Sequence, residues 1–395
     1  MFLVSGPTTV TELAFVPLAV FFVVRTLSIR GLWIHAVGQP AVLAVGLLAA
    51  WAGLSLLWSR DVGQGLDEIV RLRWVMLVVL VFPAFERRGV LVRALAWGLI
   101  VAGLAQLASG WPGLRPPFEQ RHPGRVSGWW DPVVAGTIQA AAVGLFLPAA
   151  LRGVGRERWL GLLGLGVALA GLVASGTRGA WVSTAVFLVV AVPWALRGAD
   201  RKAWWGAMAV GVAGVLVLAG GAVVMRDGLA VRVGQARAEL AAAVAGDLDS
   251  PTGARIAVMG AAWEAGVARP LGGAGAGSIN AVATDRLGPD HAAAGLEHAH
   301  SMWLHWFGTL GVPGVVLGGL VFVTAVRGAW RAAGGLSGGS WLPRGVGFAL
   351  VSLAVAGLFD AVLINMQTGA LFGALAAVGC CGCGAEKPSG VTGRG

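Results

Sequence analysis

Residues 132–151 read Pro-Val-Val-Ala-Gly-Thr-Ile-Gln-Ala-Ala-Ala-Val-Gly-Leu-Phe-Leu-Pro-Ala-Ala-Leu. Twenty residues pass without one charge. A helix of that length rises about 30 Å, the thickness of a bilayer's hydrocarbon core. Similar apolar runs occur at roughly 8–24, 38–58, 74–86, 90–110, 159–175, 180–196, 203–224, 302–326, 345–363 and 367–383. With 132–151 they make eleven. The third is short, and its span starts nearer Ile69, with Arg71 and Arg73 reaching to the interface. Composition agrees. Of 395 residues, 57% are hydrophobic and 12% charged, and mean hydropathy is +0.78. A soluble domain carries about twice that charge, so a soluble enzyme is excluded. The 63 Gly show no three-residue period, and apolar content is too high for disorder, so collagen-like and disordered chains are excluded as well. The expected fold is all-α: a polytopic membrane protein with about eleven transmembrane helices.

The net charge of +10 reads first as topology rather than as nucleic-acid binding. One set of alternate short loops holds sixteen basic residues, among them Arg25, Arg87, Arg93, Arg156, Lys202, Arg327 and Lys387; the other set holds seven. The richer set is expected in the cytoplasm, which puts the N-terminus outside and the C-terminus inside. The expected organisation is eight spans over 1–224, a long extracytoplasmic loop over 225–300, three spans over 301–383 and a cytoplasmic tail over 384–395. No basic n-region precedes the first apolar run, so no signal peptide is expected. Cys380, Cys381 and Cys383 sit together, one thiol short of a four-cysteine metal site. They read as a small-residue helix end.

Within the long loop, Ile256, Met259, Trp263 and Val267 are spaced 3, 4 and 4, a helical stripe over Ala254–Ala268. A piece near Val231–Val244 also reads as a helix lying on the surface. Gly272–Gly277 resembles a fragment of a phosphate loop but lacks its Lys-Ser/Thr and the flanking strand and helix of a dinucleotide fold, and reads as a flexible turn.

Four of the six His fall at 291, 298, 300 and 305. A metal needs three or four convergent ligands, and His305 is five residues beyond His300, inside a span. An interfacial cluster without chemistry is a second reading. A third is a proton acceptor, since imidazole at a water–lipid boundary titrates near neutral pH. Arg178, in Ser175-Gly-Thr-Arg-Gly-Ala-Trp181, is the only charge for about 18 residues either side. A lone Arg at the edge of two apolar helices is costly and usually functional; headgroup snorkelling is the alternative. Arg255 lies on the loop helix, where a solvated face is the plain reading. Arg125 precedes the fifth span. Asp360 lies in the tenth span, about one turn from its outer end, and an intramembrane carboxylate normally has a partner. These Arg, the His pair and the Asp all fall at the outer face. Arginine forks suit phosphate oxygens, so the residues point to an anionic, lipid-linked substrate at the outer leaflet.

The order Trp58-Ser-Arg-Asp61, Arg125-Val-Ser-Gly128, Ser-Gly-Thr-Arg178-Gly-Ala-Trp, Thr252-Gly-Ala-Arg255, Arg269-Pro-Leu-Gly-Gly-Ala-Gly-Ala-Gly, then His298-Ala-His300-Ser-Met-Trp-Leu and Gly308-Thr-Leu-Gly-Val-Pro-Gly314 resembles the O-antigen ligase / O-antigen polymerase family, over roughly residues 40–325. Two features depart from it. Ser301 stands where the family usually has Asn, and eleven spans are counted against about twelve, as though the chain began one span late. The resemblance implies a metal-independent, inverting glycosyltransferase of the all-helical membrane (GT-C-like) type, without cofactor, in a bacterial cytoplasmic membrane. It implies transfer of a glycan from undecaprenyl diphosphate on the outer leaflet to an acceptor hydroxyl on a glycan or lipid-glycan. By position, His300 is implied as the base that activates the acceptor. Arg178 and Arg255 are implied to hold the diphosphate, with His298, Arg125 and Arg269 as further donor-site residues. Asp360 completes the expected substrate-binding set. The alternative class is a lipid-linked oligosaccharide flippase or other transporter. That class calls for polar groups near mid-bilayer and for repeats or broken helices, whereas here the span centres are nearly free of charge and the polar groups crowd one face.

Overall fold

The computed structural model describes residues 8–28, 32–111, 125–198, 250–334 and 340–380, with scattered residues between 201 and 248. Among the described residues all regular structure is helical. In chain order the helices are α1 Thr8–Ser28, α2 Leu32–Val37, α3 Pro40–Ser55, α4 Val62–Arg71, α5 Leu77–Val81, α6 Arg88–Ser109, α7 Pro132–Arg152, α8 Arg156–Ser175, α9 Arg178–Ala195, α10 Pro251–Ala268, α11 Ile279–Leu287, α12 Met302–Gly334, α13 Leu342–Ala356 and α14 Met366–Cys380. Among the described residues, six segments are long and apolar enough to cross a membrane: 40–58, 88–109, 132–152, 156–175, 178–195 and 302–334. Val16–Ser28, Leu342–Ala356 and Met366–Gly379 are shorter apolar helices. The expected third span is instead broken, with 3-10 turns at Leu72–Met76 and Phe82–Arg87 flanking the five-residue α5. The expected span at 203–224 and the expected surface helix at 231–244 lie largely outside the described residues, as does the cysteine cluster beyond Cys380.

Helix α7, the stretch that decides the fold, is its axle. Asp131 caps it by accepting from Val133 N at 2.8 Å, and Pro132 fills the first position, where no N–H is needed. All its residues except Val133 and Arg152 are buried. Helices α8, α9 and α13 pack around it. Their approach is close because the contact positions are glycine: a Cβ on Gly345 would fall 1.9 Å from Leu145 O, and one on Gly161 2.4 Å from Ala150 N. With no hydrophobic drive between helices in lipid, such backbone contact supplies the packing energy.

Helix α12 runs about 50 Å by its 33 residues, longer than a bilayer core. It breaks at Gly311 (φ 69°, ψ −163°), two residues before Pro313. The 23 residues after the break, about 35 Å, suffice to cross. The break frees backbone groups, and each finds a partner. Ala274 N donates to Gly308 O and Gly275 N to Thr309 O, both at 2.8 Å; Trp51 Nε1 donates to Leu310 O at 2.9 Å; Val312 N donates to Pro270 O at 2.7 Å. The broken helix is therefore fully hydrogen-bonded there, as apolar surroundings require.

Those partners show that the glycine-rich segment, expected as a flexible turn, is a buried strut. Residues 273–279 are buried. Trp58 Nε1 donates to Gly272 O, Ser59 Oγ to Ala276 O and Ala276 N to Ser55 Oγ. Gly277 sits at φ +79°, and a Cβ there would lie 2.2 Å from Gly65 N. The glycines are present because α3, α4 and α12 all close upon this backbone.

Candidate active site

Three helices begin at one end of the bundle. Helix α8 ends on Gly176 in the left-handed region (φ 62°), and α9 starts two residues later with Arg178. Only a residue without a Cβ takes that conformation freely, so the turn between two spans is two residues long. Arg125 braces it. Its Nε donates to Ser175 O at 2.9 Å and its Nη2 to Thr177 Oγ1 at 2.7 Å, while Thr177 Oγ1 donates to Pro132 O at 2.6 Å. The start of α9 is thus tied to the start of α7. Helix α10 begins alongside, with Ser250 Oγ accepting from Gly253 N at 3.0 Å and Pro251 at the first position.

These ends surround a cavity of about 210 Å³. Val133 of α7, Arg178 and Gly179 of α9, and Pro251, Thr252 and Arg255 of α10 line it, with Arg125, Thr137, His300 and Asp360. Three helix N-termini add their positive ends to three guanidiniums, a field that favours an anion. Ala356, at the end of α13, closes the wall. Glu239 engages two of the lining residues: its Oε2 lies 3.6 Å from Arg178 Nη2 and accepts a short hydrogen bond from Thr252 Oγ1.

His300 is carried by the turn before α12. It is the only non-glycine with positive φ (49°) among the described residues. Such a backbone is unfavourable for a residue with a Cβ and is held by its surroundings. The holding bonds follow at once: Met302 N donates to Gly357 O at 2.8 Å and to Asp360 O at 3.1 Å, and Ser301 Oγ caps Leu304 N at 3.4 Å. Asp360 is buried. Its carboxylate accepts from Ala361 N at 2.7 Å and Thr137 Oγ1 at 3.0 Å. It therefore holds the turn from Leu358 to Ile364 against α7 while its other edge lines the cavity. The His298 and His300 rings are 4.6 Å apart. Burial, then His298 and Arg255, push the His300 imidazole down to about 3. Burial, with His305 and Arg71 adding to it, takes His298 to about 4. Both rings are neutral at physiological pH.

Of the residues singled out from sequence, Arg125, Arg178, Arg255, His300 and Asp360 share the cavity. His298 is beside His300 but off the lining. Arg269 is exposed at the far end of α10, fourteen residues and about 21 Å of helix from Arg255. His305 is buried within α12, its Nε2 3.3 Å from Glu68 Oε2. Sequence reasoning passed over Thr137, Thr252 and Glu239. A Thr two residues into a capped helix (Pro251-Thr252) is a weak signal, and Glu239 has no motif.

Residues 163–317 match the model of the family described as O-antigen ligase. The matched segment contains Arg178, Arg255, His298 and His300; the resembling stretches at Trp58–Asp61 and Arg125–Gly128 lie before it. No curated protein matches the chain. The similarity to the O-antigen ligase family thus covers residues 163–317, less than half of the chain, and that segment holds the Gly176 turn with Arg178, helix α10 with Arg255, and the His298–His300 turn.

Proposed function

We propose that this protein is a metal-independent, inverting glycosyltransferase that moves a glycan from an undecaprenyl-diphosphate-linked donor to an acceptor hydroxyl. The work is done at the outer face of a bacterial cytoplasmic membrane, with the N-terminus outside and the loop 225–300 forming part of the site. The observation that carries this reading is the convergence of Arg178, Arg255 and Arg125 with one neutral imidazole, His300, on one cavity at three helix N-termini.

The chemistry follows from these groups. Arg178 and Arg255 bind the diphosphate oxygens in forked contacts that strengthen as the leaving group gains charge. Arg125 spends two of its nitrogens on the 175–177 turn, so it positions Arg178 more than it grips substrate. The acceptor hydroxyl gives its proton to a nitrogen of His300 as its oxygen attacks the anomeric carbon, opposite the diphosphate. The anomeric carbon–oxygen bond breaks, the electron pair leaves with the diphosphate, and the configuration inverts. Burial is the main cause of the low His300 pKa, with His298 and then Arg255 adding to it; a diphosphate bound beside Arg255 offsets only that last contribution. The arginines supply the charge stabilisation that a metal would otherwise give. A flippase calls for polar groups at mid-bilayer as well as broken helices; α12 is broken at Gly311, but the arginines and His300 that line the candidate site gather at one end.

The glycan profile of a deletion strain tests the reaction class. Loss of all polymer from the acceptor marks a ligase, and single repeat units on the acceptor mark a polymerase. An unchanged profile overturns both.

A further inference from the structure

The end of the bundle opposite the arginine cavity holds a second concave site. A groove of about 420 Å³ opens between α6, α8 and the start of α13. Helix α13 spans the two ends: Leu342 lines this groove and Ala356 lines the cavity, about 21 Å apart along the helix. Two helices contribute the same pattern. On α6, Arg93 is followed four residues later by Trp97; on α8, Arg156 is followed four residues later by Leu160. Residues four apart share a helix face. Each helix thus sets a guanidinium at the rim with an apolar side chain one turn deeper, and Val92 completes the apolar floor. Trp97 is 47% exposed, and both arginines are exposed.

The one carboxylate in the groove is committed elsewhere. Glu157 Oε1 accepts from Ser340 Oγ at 2.7 Å, Trp341 N at 2.7 Å and Leu342 N at 2.6 Å, capping α13. It makes no ion pair with Arg93 or Arg156 among the described residues. Next to it, Arg152 and Arg344 both stack on Trp341, at 4.6 and 4.1 Å, so the rim is net positive. Both α6 and α8 are long and apolar enough to cross a membrane, and both begin here. The arginines therefore sit at headgroup depth, with the apolar floor at acyl-chain depth. A cation at that depth without an acidic partner calls for an anion.

We propose that this groove binds one anionic phospholipid of the adjoining leaflet, its phosphate between Arg93 and Arg156 and an acyl chain along Trp97 and Leu160. A free phosphate matches the rim but leaves the apolar floor uncovered, which is why the ligand is a lipid.

The test uses full-length protein in mild detergent, titrated with phosphatidylglycerol and followed by native mass spectrometry. Arg93→Gln with Arg156→Gln should weaken binding roughly ten- to thirtyfold, and either change alone about threefold or more. Arg327→Gln with Arg331→Gln removes the same charge from exposed residues of the last turns of α12, at the same end, and should leave binding as it was. Phosphatidylcholine should not bind measurably, and glycerol phosphate should not compete. Thermal unfolding in lipid-free detergent should be the same for all variants, since the Glu157 cap is untouched; if the double change unfolds the protein, the single changes decide. Equal loss in both double variants means diffuse surface charge and overturns the proposal. So does equal binding of phosphatidylcholine, or competition by glycerol phosphate. None of these readouts depends on the transfer reaction.

Discussion

The rings of His298 and His300 lie 4.6 Å apart at 54° to one another, yet only His300 stands on the wall that holds Arg178 and Arg255. On a helix, residues two apart point about 200° away from each other. Helix α12 begins at Met302, however, and the left-handed backbone of His300 turns its ring back toward that of His298. The two imidazoles form a neutral pair with unequal access. His300 lines the cavity with Arg178 and Arg255, while His298 lies off it and feels the charges of Arg71, Glu68 and Arg255.

Arg178→Lys keeps the charge at the head of α9 and loses the two-pronged contact with phosphate. Transfer should fall at least about tenfold, or ~1.4 kcal/mol of transition-state stabilisation, with membrane expression unchanged. The comparison is initial rate per unit of folded protein. Full activity in the Lys variant makes Arg178 a headgroup anchor.

The histidines make stability depend on pH with a definite sign. Their folded values, about 3 for His300 and about 4 for His298, lie below the ordinary 6.5. Between 6.5 and those values the unfolded chain binds more protons than the folded one, so stability is lost as pH falls through that window and is fully present above it. Thermal unfolding in detergent should show a lower midpoint at pH 5 than at pH 7.5, with a smaller drop in His300→Asn. For the same reason kcat/KM, which reports the free enzyme, should show no acid limb near 6.5 that belongs to His300. Such a limb, vanishing in His300→Gln, would contradict the buried, neutral imidazole.

Gly277→Ala tests the strut. The new methyl must share space with Gly65 N at 2.2 Å and keep φ +79°, which costs at least about 2 kcal/mol. Gly295→Ala meets nothing within 4 Å and should leave the unfolding midpoint where it was. Equal midpoints for both variants would mean that the segment is a tolerant turn after all.

Much of this was legible because it is local. The charge-free run of α7, the turn ahead of Arg178 and the helix over Ala254–Ala268 each follow from a few adjacent residues, although α10 starts three residues before that bound, at Pro251. The rest depends on distant partners. The stripe of Ile256, Trp263 and Val267 was readable as a helix face, but it faces outward, while Ala254, Ala257, Val258 and Ala261 are buried. Small residues win the inner face, where Gly308 meets the backbone of Ala262 and Gly266 makes room for the Phe307 ring. In a lipid setting, apolar size does not tell inside from outside. Arg269 carried the family-like motif, yet its position at the far end of an 18-residue helix removes it from the cavity. Glu239 entered the site with no motif at all, through Arg178 and Thr252.

The most direct measurement is glycan transfer by purified protein from an undecaprenyl-diphosphate donor to its acceptor, with and without a chelator, for wild type, His300→Ala and His298→Ala. Loss of a general base costs about 10²–10⁴ in rate. The account predicts that His300→Ala abolishes transfer while still binding donor, that His298→Ala keeps measurable activity, and that the chelator has no effect. Equal loss from both histidine variants together with chelator sensitivity would contradict it and point to a metal held by the pair.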